Sequence, residues 1–129
     1  MIAVDTSALM AIVLNEPHAS ACIAALVSND EIVISAGTLA EALIVAARRA
    51  VGEEMVKLIE GLGVIIADVT PASARRIAHA YERWGKGVHP AGLNFGDCFA
   101  YEVAKERGCA LLYVGEDFTK TDLQSALPR

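Results

Sequence analysis

The sequence predicts an α/β protein in which a central parallel sheet of four to five strands is covered by helices on both faces. Short apolar, β-branched runs alternate with longer helical patterns, which is typical of parallel sheets with right-handed crossovers. The apolar fraction is 54%, rich in Ala, Val, Ile and Leu, and suits a sheet buried on both faces. The length predicts one domain, residues 1–129.

The first predicted strand, Ile2–Val4, ends at a carboxylate, Asp5, which is followed by the hydroxyl residues Thr6 and Ser7. In open α/β sheets, ligands bind outside the carboxyl ends of the strands. Burying a lone carboxylate is costly unless it is paired, hydrogen-bonded or metal-bound. Asp5 is therefore either part of a functional site or the N-cap of the next helix, and the strand pattern leaves both readings open.

Helix and strand patterns alternate through the first half of the chain. They predict a helix over Ser7–Leu14, a helix from Pro17 to about Ser28, a strand over Glu31–Ser35, a helix over Thr38–Ala50 and a short amphipathic helix over Glu53–Leu62. Pro17 is expected in the first turn of its helix, where its missing N–H costs nothing. Gly52 is expected to end the helix that precedes it.

The second half continues the alternation. It predicts a strand over Gly63–Val69, a helix capped by Thr70 and Pro71, a loop over Gly85–Gly92, a helix capped by Asn94 and Gly108, and a strand over Ala110–Val114. The loop is the one stretch rich in Gly and Pro, and we expect it to be mobile and on the surface.

Four acidic positions fall at strand ends or near helix starts. Asp5 ends the first strand, Glu41 and Asp97 lie near the starts of their helices, and Asp117, with Glu116 beside it, follows the last strand. Strand C-termini and helix N-termini lie at the same edge of a doubly wound sheet. We therefore expect these carboxylates to converge on one crevice.

A converging cluster of carboxylates repels itself and needs protons or a cation. Hard divalent ions such as Mg²⁺ or Mn²⁺ prefer oxygen ligands, and such a site can hydrolyse a phosphodiester. Each acid also has a simpler interpretation. Asp97 and Glu41 favour the helix dipole by about 0.3–1 kcal/mol, and Asp117 is a common turn residue.

Composition limits the other functional classes. The formal net charge of −5 argues against wrapping of long duplex nucleic acid, although a local basic face remains compatible with it. Cys22, Cys98 and Cys109 are odd in number and lack C-x-x-C spacing, so we expect buried free thiols rather than metal ligands. No apolar run approaches the roughly 20 residues of a membrane span. Met1 opens the first strand without a signal-peptide pattern, and we expect a cytoplasmic protein.

Four segments together resemble the PIN-domain ribonucleases, most closely the VapC-type toxins of bacterial toxin–antitoxin modules. They are Val4–Leu9, Leu39–Ala42, Asn94–Tyr101 and Leu111–Phe118. The resemblance covers the whole chain in order. Its most specific parts are the Asp97 segment and the ending Gly-Glu-Asp-Phe-x-Lys-Thr-Asp. It implies a PIN-like three-layer α/β/α fold and a Mg²⁺- or Mn²⁺-dependent endoribonuclease that hydrolyses RNA with metal-activated water.

The resemblance also assigns residues. Asp5 and Asp97 become the principal metal ligands, and Glu41 completes the set directly or through water. The fourth acid falls on Asp117, with Glu116 as the alternative, because many PIN domains carry an acid where Gly115 stands here. The hydroxyls of Thr6 and Ser7 support the site. Candidates for RNA phosphate contacts, or else ordinary solvated charges, are Arg75, Arg76, Arg83, Lys86, His89 and Lys120.

Partners follow from the same resemblance. It implies a homodimer and a VapB-type antitoxin that lies over the groove, often with an Arg among the carboxylates. Unpaired loops of tRNA or rRNA are the expected substrates, because proteins read RNA sequence mostly in single strands. The alternatives are a catalytically inactive PIN-like binding domain and a receiver-like or other small α/β regulatory domain. No Lys of the kind a receiver needs directly follows a predicted strand.

Overall fold

The computed structural model describes residues 1–128, and this part of the chain contains four strands and six helices. In chain order they are β1 (Ile2–Val4), α1 (Thr6–Val13), α2 (Ala19–Val27), β2 (Ile32–Ser35), α3 (Ala36–Arg48), α4 (Gly52–Leu62), β3 (Ile65–Ala67), α5 (Pro71–Trp84), α6 (Phe95–Arg107) and β4 (Ala110–Leu112). No helix among these residues is long and apolar enough to cross a bilayer.

The four strands form one parallel sheet in the order β3-β2-β1-β4. β1 lies between β2 and β4, with Ala3 opposite Val33 on one side and Leu111 on the other. β3 is an exposed edge strand, and its Ile66 is 49% exposed. The predicted parallel α/β sheet is confirmed, with four strands.

Helices cover both faces of the sheet because side chains along a strand alternate between faces. Ala3, Val33 and Leu111 belong to one apolar core, which α5 and α6 complete. Val4 and Ile34 belong to a second core, which α1 to α4 complete. The result is the predicted three-layer α/β/α arrangement.

Most predicted caps are present. Thr70 and Ser73 form a capping box at the start of α5, and Asn94 and Asp97 form another at the start of α6. Gly108 ends α6 in the left-handed conformation, with φ of 61°. The predicted loop, Gly85–Gly92, is closed at its base by a parallel bridge between Gly85 and Leu93.

Several predicted boundaries were wrong. Pro17 lies in the turn before α2, which begins at Ala19 after His18. β3 has three residues where seven were predicted, and β4 has three where five were predicted. The flanking residues continue the apolar pattern, but they do not join the ladder.

The third helix begins two residues earlier than predicted because Ser35 caps it, accepting a hydrogen bond from Gly37 N at 3.2 Å. Glu41 therefore lies in the second turn of α3, two residues further from the start of the helix than predicted. At the other end, Ala50 takes the left-handed conformation at φ of 59°, and Gly52 starts α4 instead of ending α3.

Cys22 and Cys98 are buried free thiols, as predicted, whereas Cys109 is only partly buried. Burial raises the pKa of all three thiols, and the Asp97 carboxylate adds to the rise at Cys98, whose pKa is about 11. These thiols are therefore protonated and unreactive near neutral pH.

We expect Phe118→Ala to lower the free energy of unfolding by about 3–5 kcal/mol, because Phe118 is 2% exposed and its ring packs on Tyr113. Urea unfolding followed by circular dichroism measures the loss. Phe95→Ala is the matched control, since Phe95 is 73% exposed, and it should cost less than about 1 kcal/mol. Equal losses in the two variants would contradict this account of how the segment after β4 is anchored.

Candidate active site

Asp5 lies where β1 ends, and its backbone N–H donates to Leu112 O at 3.0 Å on the neighbouring strand. Its Oδ2 accepts hydrogen bonds from Ser7 N at 3.1 Å and from Ser7 Oγ at 2.7 Å. Asp5 is thus the N-cap of α1, as one of the two sequence interpretations held. That role uses only one oxygen.

The second oxygen, Asp5 Oδ1, is buried and has no hydrogen-bond partner among residues 1–128. The residue as a whole is only 4% exposed. An unsatisfied buried carboxylate oxygen carries a large desolvation cost, so it requires a proton or a ligand. Helix capping therefore accounts for Asp5 Oδ2 and leaves Oδ1 available to bind a proton or a ligand.

Ser7 fixes the orientation of Asp5. Its Oγ donates to Asp5 Oδ2 and accepts from Val114 N at 3.0 Å, just after β4. One hydroxyl therefore joins the end of the first strand to the end of the last. These bonds are compatible with the supporting role predicted for Ser7, which stays a prediction.

Glu41 approaches the same region from α3. Thr6 Oγ1 donates to Glu41 Oε1 at 2.6 Å and lies 3.5 Å from Thr38 O. The Glu41 carboxylate also packs against Gly96 at the start of α6. Thr6 therefore orients Glu41, as Ser7 orients Asp5.

Asp97 is 7% exposed in the first turn of α6. Its Oδ2 accepts from Asn94 N at 3.0 Å, and its own N–H donates to Asn94 Oδ1 at 2.8 Å. Asp97 is therefore a helix-capping residue, as Asp5 is. It differs from an ordinary cap because it is buried and because neighbouring charges act on it.

Asp117 lies in the exposed turn after β4, behind Gly115 at φ of 99°. It is near enough to Asp97 to act on it electrostatically. Glu116 is also exposed. The assignment of the fourth acid therefore stays a prediction.

The charges of the other acids act on Asp97 and, in one case, on Asp5. Burial raises the pKa of Asp97 to about 7, and the charges of Asp5, Asp117 and Glu41 add to the rise. Burial raises the pKa of Asp5 to about 6 against the lowering effect of Ser7, and Glu41 contributes to the rise. Carboxylates whose pKa values are raised by burial and by neighbouring charges are characteristic of functional sites.

The donor set fits a hydrated divalent ion. Mg²⁺ typically takes one or two carboxylates and keeps several waters, and the orphaned Asp5 Oδ1 offers one such ligand. Among residues 1–128, no three or more His, Cys, Asp or Glu side chains form a ready metal cage. One oxygen of Glu41 is already engaged by Thr6.

The predicted RNA-contact residues are only partly free to contact a substrate. Arg76 Nε contacts Glu102 at 3.0 Å and Glu106 at 3.4 Å, and the Arg83 guanidinium lies 4.6 Å from the Trp84 ring centroid. Three of the arginines border a cleft of about 360 Å³ between α5 and α6, lined by Arg75, Arg76, His79, Arg83, Trp84 and Lys105. Lys86 borders a separate apolar groove, and Lys120 is exposed.

Sequence reasoning missed a polar chain behind α6 that runs from the buried Trp84 to the exposed Asp122. Trp84 Nε1 donates to Tyr101 Oη at 2.9 Å, and Tyr101 donates to Asp122 Oδ1 at 2.7 Å. Lys105 also donates to Asp122, at 3.1 Å. Asp122 closes the Gly-Glu-Asp-Phe-x-Lys-Thr-Asp ending, so the signal was present without a role attached to it.

Comparison with known proteins agrees with this geometry. The PIN domain family model matches residues 2–123. The ribonuclease VapC36 of Mycobacterium tuberculosis is 42% identical over 125 residues, covering 94% of this chain and 90% of that protein. The chain therefore belongs to the PIN-domain family, and within it to the VapC ribonucleases.

Two solved structures share the fold at low sequence identity. The sarcin–ricin loop cleaving toxin VapC20 of M. tuberculosis superposes with a TM-score of 0.81 at 17% identity, covering 99% of this chain and all of that one. A toxin–antitoxin complex from Klebsiella pneumoniae gives a TM-score of 0.71 at 15% identity, covering 95% and 93%.

The family membership confirms the predicted PIN-like fold and the class of RNA-cleaving hydrolase and toxin. It is incompatible with the receiver-like alternative. Ribonucleases of this family generally depend on divalent metal ions.

We expect the stability of the protein in a chelator to fall as pH rises from about 4 to 8. Asp5 and Asp97 have folded-state pKa values above the usual 3.8, so the folded state holds extra protons over this interval and loses that advantage above it. Asp97→Asn should flatten the profile and raise the melting temperature at pH 8. One kcal/mol corresponds to about 4 °C for a chain of this size.

The matched control is Asp30→Asn, because Asp30 is exposed and lies before the N-terminal end of β2, whereas Asp5 follows the C-terminal end of the parallel strand β1. It should reproduce the wild-type profile. Parallel pH profiles for Asp97→Asn and wild type would show that Asp97 is not held in a proton-binding cluster.

Proposed function

We propose that this chain is a Mg²⁺-dependent endoribonuclease, with Mn²⁺ able to substitute, and that its site consists of Asp5, Glu41, Asp97 and Asp117. The observation that carries the proposal is the buried, unpartnered Asp5 Oδ1, together with the raised pKa of Asp97, to which burial contributes most and the charges of Asp5, Asp117 and Glu41 add. Such an oxygen is costly to bury unless it takes a proton or meets a cation. Similarity to VapC36 over nearly the whole chain supports the reaction class.

In this proposal Asp5 and Asp97 hold the ion, and Glu41 and Asp117 complete its surroundings directly or through water. When bound, a hard divalent cation activates water and stabilises charge that develops on a phosphodiester. Glu116 remains the alternative fourth acid.

The chain's own contribution is orientation and proton control. Ser7 holds Asp5 Oδ2, so Oδ1 stays directed away from the helix cap. Thr6 holds one oxygen of Glu41. Burial keeps protons on Asp5 and Asp97 to unusually high pH, so binding of a cation releases protons and strengthens as pH rises through 6 to 7.

The RNA path in this proposal runs from the carboxylates toward Arg75, Arg83 and Lys86, which are exposed. Arg76 contributes less because Glu102 and Glu106 already bind it. His89 and Lys120 complete the candidates. Unpaired RNA, such as a tRNA or rRNA loop, is the substrate class, since its splayed bases can reach a pocket at the sheet edge.

A VapB-type antitoxin and a second copy of the chain are the proposed protein partners in the cytoplasm. The similar structure from K. pneumoniae is a toxin–antitoxin complex. Exposed apolar side chains on the early helices offer contact area: Ile23 and Val27 on α2 and Ile44 on α3, at 46%, 80% and 61% exposure. An antitoxin Arg placed among the carboxylates would offset their repulsion.

We expect Asp5→Asn to abolish RNA cleavage and growth inhibition while the fold survives, because the amide keeps the cap acceptor and loses the charge at Oδ1. Purified wild type, Asp5→Asn and Asp30→Asn are incubated with total RNA in Mg²⁺, in Mn²⁺ and in chelator. Calorimetry with Mn²⁺ is run in parallel. Asp30→Asn should behave as wild type.

Intact RNA in every lane, together with no heat of Mn²⁺ binding, would sink the proposal and favour an inactive binding domain. Cleavage by Asp5→Asn at the wild-type rate would show that the reaction is located elsewhere.

A further inference from the structure

Gly96, one residue before Asp97, lies where α3 and α6 approach closely. A methyl group added to Gly96 would overlap Glu41 Oε2 and lie 2.8 Å from Glu41 Cδ. Glu41 occupies the space that any other residue's Cβ would fill. The backbone of Gly96 has the ordinary right-handed helical conformation. Glycine is therefore required here for the space that its missing side chain leaves, and not for an unusual φ.

The contact is reciprocal between the two helices. A methyl group added to Gly37 of α3 would overlap the Phe99 ring of α6, with Cγ and Cε1 at 2.6 Å. Gly37 thus receives an α6 side chain, and Gly96 receives an α3 side chain. Together they set the separation at which Glu41 meets the helix that carries Asp97.

We propose that Gly96 is a positioning residue: it forms a cradle for the Glu41 carboxylate and holds it beside Asp97. Thr6 holds Oε1 from one side, and Gly96 leaves room for Oε2 on the other. The role of Glu41 in metal binding rests on the function proposed above. The cradle itself is a geometric claim that does not depend on it.

We expect Gly96→Ala to displace the Glu41 carboxylate without unfolding the protein. The clashing atoms are the far end of a flexible side chain, so Glu41 moves while the fold stays intact. Alanine is also a better helix former than glycine. The methyl group therefore displaces one carboxylate from the site without unfolding α6.

The test is a double-mutant cycle over wild type, Gly96→Ala, Glu41→Ala and the double variant. Mn²⁺ affinity is measured by calorimetry. Gly96→Ala should weaken it by about 10- to 100-fold, the usual effect of losing a residue that orients a ligand. In the Glu41→Ala background the same methyl group should change the affinity less than about twofold. Gly61→Ala is the control, because nothing lies within 4 Å of its added methyl group.

A metal-free cycle separates the cradle from the function. Melting temperatures in chelator should show that Gly96→Ala is more favourable, by at least about 2 °C, when Glu41 is absent than when it is present. Identical shifts in the two backgrounds would overturn the cradle. If wild type binds no Mn²⁺ but the melting cycle shows coupling, the proposed function fails and the cradle stands. Equal loss of Mn²⁺ affinity in both backgrounds would show that Gly96 acts without Glu41.

Discussion

The arrangement at the end of β1 depends on the Asp5 carboxylate, whose two oxygens lie in different environments. Oδ2 satisfies the start of α1 through Ser7, and Oδ1 lies in the same buried place without a partner. Asp5 is only 4% exposed, and a residue that acts only as a helix cap does not need to be so deeply buried. The cost of that burial is offset if Oδ1 takes a proton or a ligand. The other acids, their supporting hydroxyls and the glycine at the start of α6 surround this one point.

The helix caps and the proposed active site use the same side chains. Asp97 repeats the pattern of Asp5, since one oxygen closes the capping box with Asn94 while neighbouring carboxylates act on the group. The two sequence interpretations of these residues, helix cap and site carboxylate, were therefore not exclusive. Preorganisation follows, because a residue whose rotamer is fixed by a cap needs no further ordering when a ligand binds.

The sequence predicted the layer architecture because the elements leave short-range signals. β-branched runs marked the strands, and Asn94 and Gly108 marked the ends of α6. The start of α3 was predicted two residues too late, since Ser35 is equally suited to end a strand and to cap a helix. The site acids stay a prediction. The relation of Gly96 to Glu41 had no local signal at all, because it joins residues 55 positions apart, from 41 to 96. The Trp84–Tyr101–Asp122 chain was likewise hidden by its long separations.

The hydrogen bond from Val114 N to Ser7 Oγ joins the two ends of the molecule. β1 is synthesised first, yet it lies inside the sheet and takes its last neighbour, β4, only after residue 110 has been made. The edge of the sheet where Asp5 and Ser7 lie is therefore closed only after β4 has been made, through a bond between residues 107 positions apart. Pairings of such long sequence separation form late because the loop between them must first be closed.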